Sequence, residues 1–261
     1  MIIIIFYRGG IKVLISVEGL DGVGKSSVTN HLASSLNMPI AEKPIKKLLY
    51  LDDEQSKKIT EKIYSCYSSN IQAMYYLMGY LSVLEDAKKN DILMDRGFLS
   101  TYYFSYNKEN SAFFDMFATN YGVPDLTIVL YASVEKRINR IKNRNISDDD
   151  LKKKRLYVDG YDKYFEALTK YNMPYLLINN ENLSLEETSS LVLTLLKLVI
   201  EKRENLELLK NLFSIENLFL INQYSFREIT ELISNRINSN VSNNKTKVLR
   251  KGSDNNETIN Y

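Results

Sequence analysis

Short apolar runs and longer stretches of helical periodicity alternate along the chain up to residue 203. The apolar runs, rich in Val, Ile and Leu, predict five strands at residues 13–17, 39–41, 92–94, 127–130 and 175–178. Between them, apolar residues recur at every third or fourth position, which predicts helices at residues 26–36, 56–89, 110–120, 133–145, 149–171 and 185–203. Strands that alternate with helices are typical of a parallel sheet covered on both faces. We therefore expect an α/β fold, a five-stranded parallel sheet with helices on both faces.

The two ends of the chain differ from this alternating core, which covers residues 12–203. Residues 1–11 begin with an apolar run, which we interpret as a leader or an extra strand. Residues 204–237 retain helical periodicity, which predicts a helical C-terminal extension. Residues 238–261 are rich in Asn, Ser and Lys and poor in large apolar groups, so we expect a disordered tail.

A glycine-rich segment connects the first predicted strand to the first predicted helix. Residues 19–26 read GLDGVGKS and fit the pattern G-x-x-x-x-G-K-[ST], in which backbone N–H groups cradle phosphates. Lys25 would reach the β and γ phosphates of a nucleoside triphosphate, and the Ser26 hydroxyl would bind Mg²⁺. The predicted ATP-binding residues are Gly19, Leu20, Asp21, Gly22, Val23, Gly24, Lys25, Ser26 and Ser27.

The third predicted strand ends in an acid and an arginine, Asp95 and Arg96. The carboxyl ends of parallel strands form the edge where α/β folds hold ligands, so this pair should lie beside the phosphates. Phosphoryl transfer needs a carboxylate near the metal or the attacking oxygen, and cations on the transferring group. We therefore predict that Lys25, Asp95 and Arg96 are catalytic and that Ser26 and Asp95 are metal ligands.

Other nucleotide-binding classes fit the chain less well, and composition narrows the choice further. Residues 107–110 read NKEN and lack the aspartate of the GTPase motif Asn-Lys-x-Asp. Lys plus Arg number 34 against 32 Asp plus Glu, too even a balance for a general nucleic-acid binder. The single cysteine, Cys66, excludes an internal disulfide, and no apolar run approaches the length of a membrane span. We expect a cytoplasmic protein that binds neither nucleic acid nor a membrane.

Three motifs together resemble those of the thymidylate (dTMP) kinases, a family of P-loop kinases. Residues 17–27, VEGLDGVGKSS, are similar to the family's first motif, and residues 95–104, DRGFLSTYYF, look like its Asp-Arg motif. The third motif is Val134-Glu135 followed by Arg140 and Arg144, which resembles the arginine-bearing lid over the phosphates. The likeness extends from residue 12 to residue 203. It implies the P-loop kinase fold and the use of Mg²⁺ with ATP.

The resemblance also implies roles for individual residues. Asp21 would accept a hydrogen bond from the sugar 3′-hydroxyl of the acceptor, Phe104 would pack where a ribose 2′-hydroxyl would lie, and Thr101 would contact the base edge. Family members with glycine at position 22 lack a P-loop arginine and take one from the lid, which implies a catalytic role for Arg140 or Arg144. Residues 136–155 contain nine Lys or Arg against three Asp. The predicted acceptor-binding residues are Asp21, Lys43, Tyr76, Arg96, Ser100, Thr101 and Phe104.

The chain departs from the family at both ends of the acceptor. The helix before the Asp-Arg motif carries no arginine in residues 73–81, and Tyr75, Tyr76 or Tyr80 could stack on the base instead. The family's Arg-Glu-Pro segment, whose arginine binds the acceptor phosphate, is represented by Glu42-Lys43-Pro44. Lysine does not give the same bidentate contact. The acceptor is therefore dTMP, another nucleotide, or a nucleoside.

From these motifs we expect ATP-dependent phosphorylation of a deoxynucleoside monophosphate, with dTMP as the favoured acceptor. A deoxynucleoside kinase is the alternative among enzymes. A non-catalytic P-loop nucleotide sensor, which binds a partner through the C-terminal extension, is the alternative outside them. The presence of Lys25, Asp95 and Arg96 argues against the sensor. Because the family is commonly dimeric, the resemblance also implies a possible homodimer.

Overall fold

A computed structural model describes residues 12–41 and 44–201 of the chain, with side chains described over 12–41 and 45–196. Its five strands are Leu14–Glu18 (β1), Ile40–Ala41 (β2), Ile92–Asp95 (β3), Leu126–Tyr131 (β4) and Tyr175–Asn179 (β5). They form one sheet in the order β2-β3-β1-β4-β5, and every pairing in it is parallel. The chain moves outward from β1 to β2 and then back across the sheet. The crossovers therefore run in opposite directions along the sheet, and the right-handedness expected of such connections places helices on both faces. The predicted α/β class is confirmed.

The helices are Lys25–Leu36 (α1), Pro44–Leu48 (α2), Asp53–Cys66 (α3), Ser69–Ala87 (α4), Phe98–Ser105 (α5), Ser111–Tyr121 (α6), Val134–Arg144 (α7), Tyr161–Lys170 (α8) and Leu185–Glu201 (α9). All five strands and the helices α1, α6 and α7 lie within about one or two residues of the predicted positions, the ordinary uncertainty of helix and strand ends. The final predicted helix is confirmed over its described residues.

The single helix predicted at residues 56–89 is two helices. The first, α3, begins at a capping box. The Asp52 carboxylate accepts a hydrogen bond from the Gln55 backbone N–H, and the Gln55 side-chain oxygen accepts one from the Asp52 backbone N–H. The backbone is extended at Tyr67 and Ser68, which separate the end of α3 from the start of α4. None of the side chains of α3 is buried, so its apolar periodicity does not mark a core-facing stripe.

The helix predicted at residues 149–171 begins only at Tyr161. The residues before it form two short 3₁₀ helices, Asp149–Lys152 and Lys154–Tyr157. Asp148 caps the first of them, because its carboxylate accepts a hydrogen bond from the Asp150 backbone N–H at 2.9 Å. We call residues 145–160 the lid segment.

Two helices, α2 and α5, were not predicted. The five residues of α2 are too few to show a period. In α5, the buried residues are Phe98, Leu99, Ser100, Thr101, Tyr102 and Ser105. A helix that is buried on most sides carries no stripe of alternating polarity, so its sequence gives no helical signal.

Strand β1 is fixed at the centre of the sheet by two carboxylates from neighbouring loops. Asp91 accepts from the Val13 N–H at 2.9 Å, and Asp125 accepts from the Leu14 N–H at 2.8 Å. At the other end, Val17 pairs with Asp95 on β3. This register brings the end of β1, and with it the glycine-rich segment, to the same sheet edge as Asp95.

The described residues divide into two units, with the division between residues 189 and 190. The described part of the first unit contains the sheet and α1 to α8, and residues 190–201 of the second are helical. The predicted leader at 1–11, helical extension at 204–237 and tail at 238–261 lie outside the described residues and stay predictions. Among the described helices, none is both long enough and apolar enough to cross a membrane.

Candidate active site

The glycine-rich segment packs against helix α7 through its backbone. Gly22 has a φ of +84°, and a Cβ at this position would lie 2.6 Å from the carbonyl oxygen of Arg137. Both the dihedral angle and the contact require glycine. The absence of an arginine at position 22, which the sequence shows, therefore has a structural cause: α7 occupies the space that the side chain would need.

Lys25 opens α1 and points its ammonium group back into the loop. Its Nζ donates a hydrogen bond to the Leu20 carbonyl at 2.8 Å, and the side chain is buried. Burial and the nearby charge of Arg96 lower the pKa of Lys25 to about 7. An anion in the loop would favour the charged form and replace the carbonyl as a partner.

The predicted metal ligands are brought together at the sheet edge. The Ser26 hydroxyl donates to Asp95 Oδ2 at 2.6 Å. The other carboxylate oxygen, Asp95 Oδ1, is buried and has no hydrogen-bond partner in the described structure. No group of three or more His, Cys, Asp or Glu residues able to hold a metal occurs among the described residues. A site with a hydroxyl and one carboxylate suits Mg²⁺, which usually binds one or two protein ligands together with substrate phosphates and water.

The Asp21 carboxylate lies between two arginines. Arg96 Nη2 donates to its Oδ1 at 2.5 Å, and Arg155 Nε donates to its Oδ2 at 3.3 Å. Burial alone would raise the pKa of Asp21, but the charges of Arg96, Lys25 and Arg155 hold that pKa well below its usual range. Asp21 is therefore ionised and acts as an acceptor of hydrogen bonds only.

The ring of Phe104 lies beneath both guanidinium groups. The Arg155 Cζ atom is 4.7 Å from the ring centroid, and the Arg96 Cζ atom is 5.7 Å from it. Both distances fall within the range of cation–π attraction. Asp21, Arg96, Phe104 and Arg155 thus form one cluster, which we call the acid–arginine cluster.

The turn that carries Arg96 is held by a buried glutamate, Glu18. Arg96 has a φ of +68°, in the left-handed region that side chains rarely adopt. The Glu18 carboxylate, at the end of β1, accepts from the Gly97 N–H at 2.7 Å and from the Ser100 hydroxyl at 2.5 Å. Burial raises the pKa of Glu18 despite these bonds. The strained turn is therefore over-determined by its surroundings, as is typical of functional sites.

The two predicted lid arginines point elsewhere in the described structure. Arg140 Nη1 donates to the Val23 carbonyl at 3.1 Å, and its Nη2 donates to the Asn180 carbonyl at 2.7 Å. Arg140 therefore links the glycine-rich segment, through Val23, to the loop after β5, through Asn180. Arg144 is exposed and pairs with Asp148 at 2.5 Å and Asp150 at 3.5 Å. Their catalytic roles stay predictions.

The remaining predicted acceptor residues take different positions. The Ser100 hydroxyl is bonded to Glu18, as described, and the Thr101 hydroxyl donates to the Gly97 carbonyl at 3.1 Å. Tyr76 packs with Tyr64, at 5.9 Å between ring centroids, and with Tyr75 at 5.1 Å. Lys43 lies outside the described residues. Of this predicted set, the structure brings three residues together. Arg96 contacts both Asp21 and Phe104, and Arg155 contacts the same two residues.

Sequence reasoning missed four residues that shape this edge: Glu18, Arg137, Arg155 and Asn180. Glu18 was visible only as part of the first motif. Arg155 was one of nine basic residues in 136–155, and nothing in their spacing distinguishes it. Asn180 donates from Nδ2 to the Val23 carbonyl at 2.9 Å. Contacts between segments so distant in sequence leave no local pattern to find.

Comparisons with known proteins show the family and the fold of the chain. The sequence profile of the thymidylate kinase family matches residues 17–192. A protein described as a probable thymidylate kinase, from Metallosphaera sedula, is 25% identical over 187 residues, which are 70% of this chain and 92% of that protein. The family profile, over residues 17–192, covers the glycine-rich segment, the Asp95–Arg96 turn and the lid segment.

Two solved structures share the fold. A deoxyadenosine kinase from M. mycoides, solved with the products dCMP and dCDP, has a TM-score of 0.52 at 22% identity, covering 70% of this chain and 98% of that one. Thymidylate kinase from Candida albicans, whose structure is described as showing the origin of broad substrate specificity, has a TM-score of 0.53 at 17% identity, covering 76% and 95%. With the family profile spanning two thirds of the chain, this protein belongs to the thymidylate kinase family and is a P-loop nucleotide kinase.

Proposed function

We propose that this kinase transfers the γ-phosphoryl group of ATP to the phosphate of a deoxynucleoside monophosphate, with dTMP as the preferred acceptor. The observation that supports it most directly is the acid–arginine cluster, in which the Asp21 carboxylate lies between Arg96 and Arg155. This cluster joins the glycine-rich segment, the Asp-Arg turn and the lid segment. Those are the three parts that a donor and an acceptor nucleotide would share.

The donor end is provided by the glycine-rich segment and Lys25. The Lys25 ammonium lies 2.8 Å from the Leu20 carbonyl, within the loop that would hold the phosphates. In the ATP complex we expect it to move from this carbonyl to the β and γ phosphates. Its charge would then stabilise the negative charge that spreads over the transferring group.

Ser26 and Asp95 would hold Mg²⁺ with ATP. When bound, the ion would neutralise phosphate charge as a Lewis acid. The unpartnered Asp95 Oδ1 supports this assignment, because a buried carboxylate oxygen without a hydrogen bond is destabilising unless a ligand satisfies it.

Arg96 and Arg155 would neutralise the phosphates that meet at the cluster. Both guanidinium groups contact the same carboxylate, so an incoming phosphate could take over their free donors while Asp21 stays ionised. Arg96 Nη1 is buried without a partner in the described structure and is available for such a bond. We therefore add Arg155 to Arg140 and Arg144 as a candidate for the cation that position 22 lacks.

The sugar of the acceptor would be recognised by Asp21 and Phe104. Asp21 would accept a hydrogen bond from the 3′-hydroxyl, and the Phe104 ring would leave no polar partner for a 2′-hydroxyl. Packing against an aromatic ring without a hydrogen bond disfavours a buried hydroxyl. The contacts of Tyr76, Thr101 and Lys43 with the base and phosphate stay predictions.

Measuring kcat/KM for dTMP, dUMP, UMP and thymidine on one preparation tests the proposal. We expect dTMP to be favoured, dUMP to be accepted within about tenfold, and UMP to be used at least about tenfold less well than dUMP. In Phe104→Ala the preference for dUMP over UMP should shrink while ATP use is retained. Thymidine used better than dTMP would make the protein a deoxynucleoside kinase, and transfer to none of the four would end the proposal.

Two further expectations belong to this proposal. A homodimer is implied by the family, and light scattering of the purified protein over a range of concentrations tests it. We also expect the protein to act in the cytoplasm, because ATP and nucleotide substrates are available there.

A further inference from the structure

The guanidinium group of Arg137 is buried without an acidic partner. Arg137 is 1% exposed, and its side chain is among the largest fully buried ones of the described structure. No carboxylate of the described residues forms an ion pair with it, and its Nε has no hydrogen-bond partner there. A buried charge of this kind is costly unless hydrogen bonds compensate for the solvation that it loses.

Arg137 instead bonds two backbone carbonyls from distant segments. Its Nη2 donates to the Val158 carbonyl at 3.0 Å, and its Nη1 contacts the Asp21 carbonyl at 3.5 Å. Val158 lies near the end of the lid segment, and Asp21 lies in the glycine-rich segment. The forked geometry of arginine suits two acceptors at once, which an ammonium group or a neutral chain could not supply equally well.

The carbonyl of Val158 is three residues beyond Arg155. Arg155 lies within the 3₁₀ helix Lys154–Tyr157 and Val158 follows directly after it, so the short turns of this helix leave little freedom between the two positions. A few residues further on, Gly160 touches the Tyr103 ring so closely that a Cβ would lie 2.5 Å from the hydroxyl oxygen. The end of the lid segment nearest α8 is therefore held at two points.

The other end of the lid segment is held differently. Asp148, near its start, is half-buried and pairs with the exposed Arg144 at the end of α7, and the exposed side chains of Asp149 and Lys152 pair with each other. Exposed ion pairs contribute little to stability and are weakened by salt. Movement of the lid segment is thus easier at its start than at the Val158 end.

We propose that Arg137 is a positioning residue, which fixes the Val158 end of the lid segment to the glycine-rich segment so that Arg155 reaches the acid–arginine cluster. This inference rests on the proposed phosphoryl transfer and on Arg155 taking part in it. Arg137 itself contacts no substrate in this arrangement. Its effect on the rate passes through Arg155.

A double-mutant cycle tests this coupling. The variants are Arg137→Met, Arg155→Ala and the double variant, each measured for kcat and KM with ATP and dTMP. We expect about a tenfold loss of kcat in Arg137→Met, about thirtyfold in Arg155→Ala, and about thirtyfold in the double variant rather than the product of the two. Arg137→Lys, which keeps the charge but not the fork, should recover only part of the loss.

Lys152→Ala is the matched control, because Lys152 is an exposed lid residue and, among the described residues, its ion pair is with nearby Asp149. The loss of kcat in Lys152→Ala should be small. When Lys152→Ala is combined with Arg137→Met, the loss of kcat should equal the product of the two single losses. Limited trypsin digestion gives a readout besides activity: the bonds after Lys153 and Lys154, which all three proteins retain, should be cleaved several times faster in Arg137→Met than in the parent or in Lys152→Ala. If Arg137→Met does not fold, Arg137→Lys takes its place in the cycle and the digestion.

Independent effects, with the double variant losing the product of the single losses, would overturn the proposal while leaving the kinase function intact. Unchanged trypsin cleavage in the Arg137 variants would overturn it as well. A parent protein inactive toward all four acceptors would instead remove the proposed function, and the digestion would still decide whether Arg137 anchors the lid segment.

Discussion

The glycine-rich segment and the lid segment bring charges to the same place by different means. In the first, backbone contacts set the geometry: Gly22 abuts the carbonyl of Arg137, and Lys25 donates to the carbonyl of Leu20. In the second, several polar contacts join exposed side chains that are close in sequence, such as Lys152 with Asp149. Geometry built from backbone and burial resists salt and substitution at the surface, whereas geometry built from exposed charges can change when a phosphate enters.

Removing the charge from the glycine-rich segment should have the largest effect. In Lys25→Met we expect kcat to fall about a hundredfold or more, because the charge acts on the transferring phosphates, with little loss of thermal stability. Steady-state kinetics and thermal unfolding measure the two quantities. Lys88→Met is the control, since Lys88 is exposed and pairs with Glu85. Wild-type turnover in Lys25→Met would contradict the role of the loop.

Within the lid segment and the helix before it, the arginines should differ. Arg155→Ala should lower kcat about thirtyfold, with a smaller change in the KM of the acceptor, because Arg155 lies at the acid–arginine cluster. Arg144→Ala should lower it less, because Arg144 is exposed and bonded to Asp148 and Asp150. A larger loss in Arg144→Ala would mean that the lid segment rearranges enough to exchange the two arginines.

The backbone packing of the loop can be tested by two matched glycines. Gly22 and Gly122 both have positive φ, of +84° and +95°, but only the first meets a neighbour, since nothing lies within 4 Å of a Cβ at Gly122. Gly122→Ala should cost about 1 kcal/mol of unfolding free energy from the dihedral angle alone. Gly22→Ala should cost about 1 to 2 kcal/mol more, from the contact with Arg137. Denaturant unfolding measures both, and equal losses would show that α7 yields to the added methyl group.

The same contrast explains what could be read from the sequence. The strands and the glycine-rich segment are local: a run of apolar residues or a spacing of glycines specifies each of them, and the structure places the five strands where they were expected. The pairing of Ser26 with Asp95 could also be anticipated, because Asp95 ends β3 and Ser26 lies in the segment after the neighbouring parallel strand β1.

Features that depend on distant segments could not be predicted. The break between α3 and α4 at Tyr67 and Ser68 is hidden because both helices continue one periodic pattern. Arg155 could not be singled out from its basic neighbours, since its importance comes from Asp21, 134 positions away in the chain. Glu18 looks like an ordinary strand-end residue until the Gly97 N–H and the Ser100 hydroxyl are seen to converge on it.

The contact between Gly22 and α7 also limits how the loop can be redesigned. A single substitution of Gly22 by arginine would place a side chain where the backbone of Arg137 already lies. An arginine engineered into the loop at this position would therefore require α7 to move as well, so one substitution is not enough to transfer the cation from another segment to the loop.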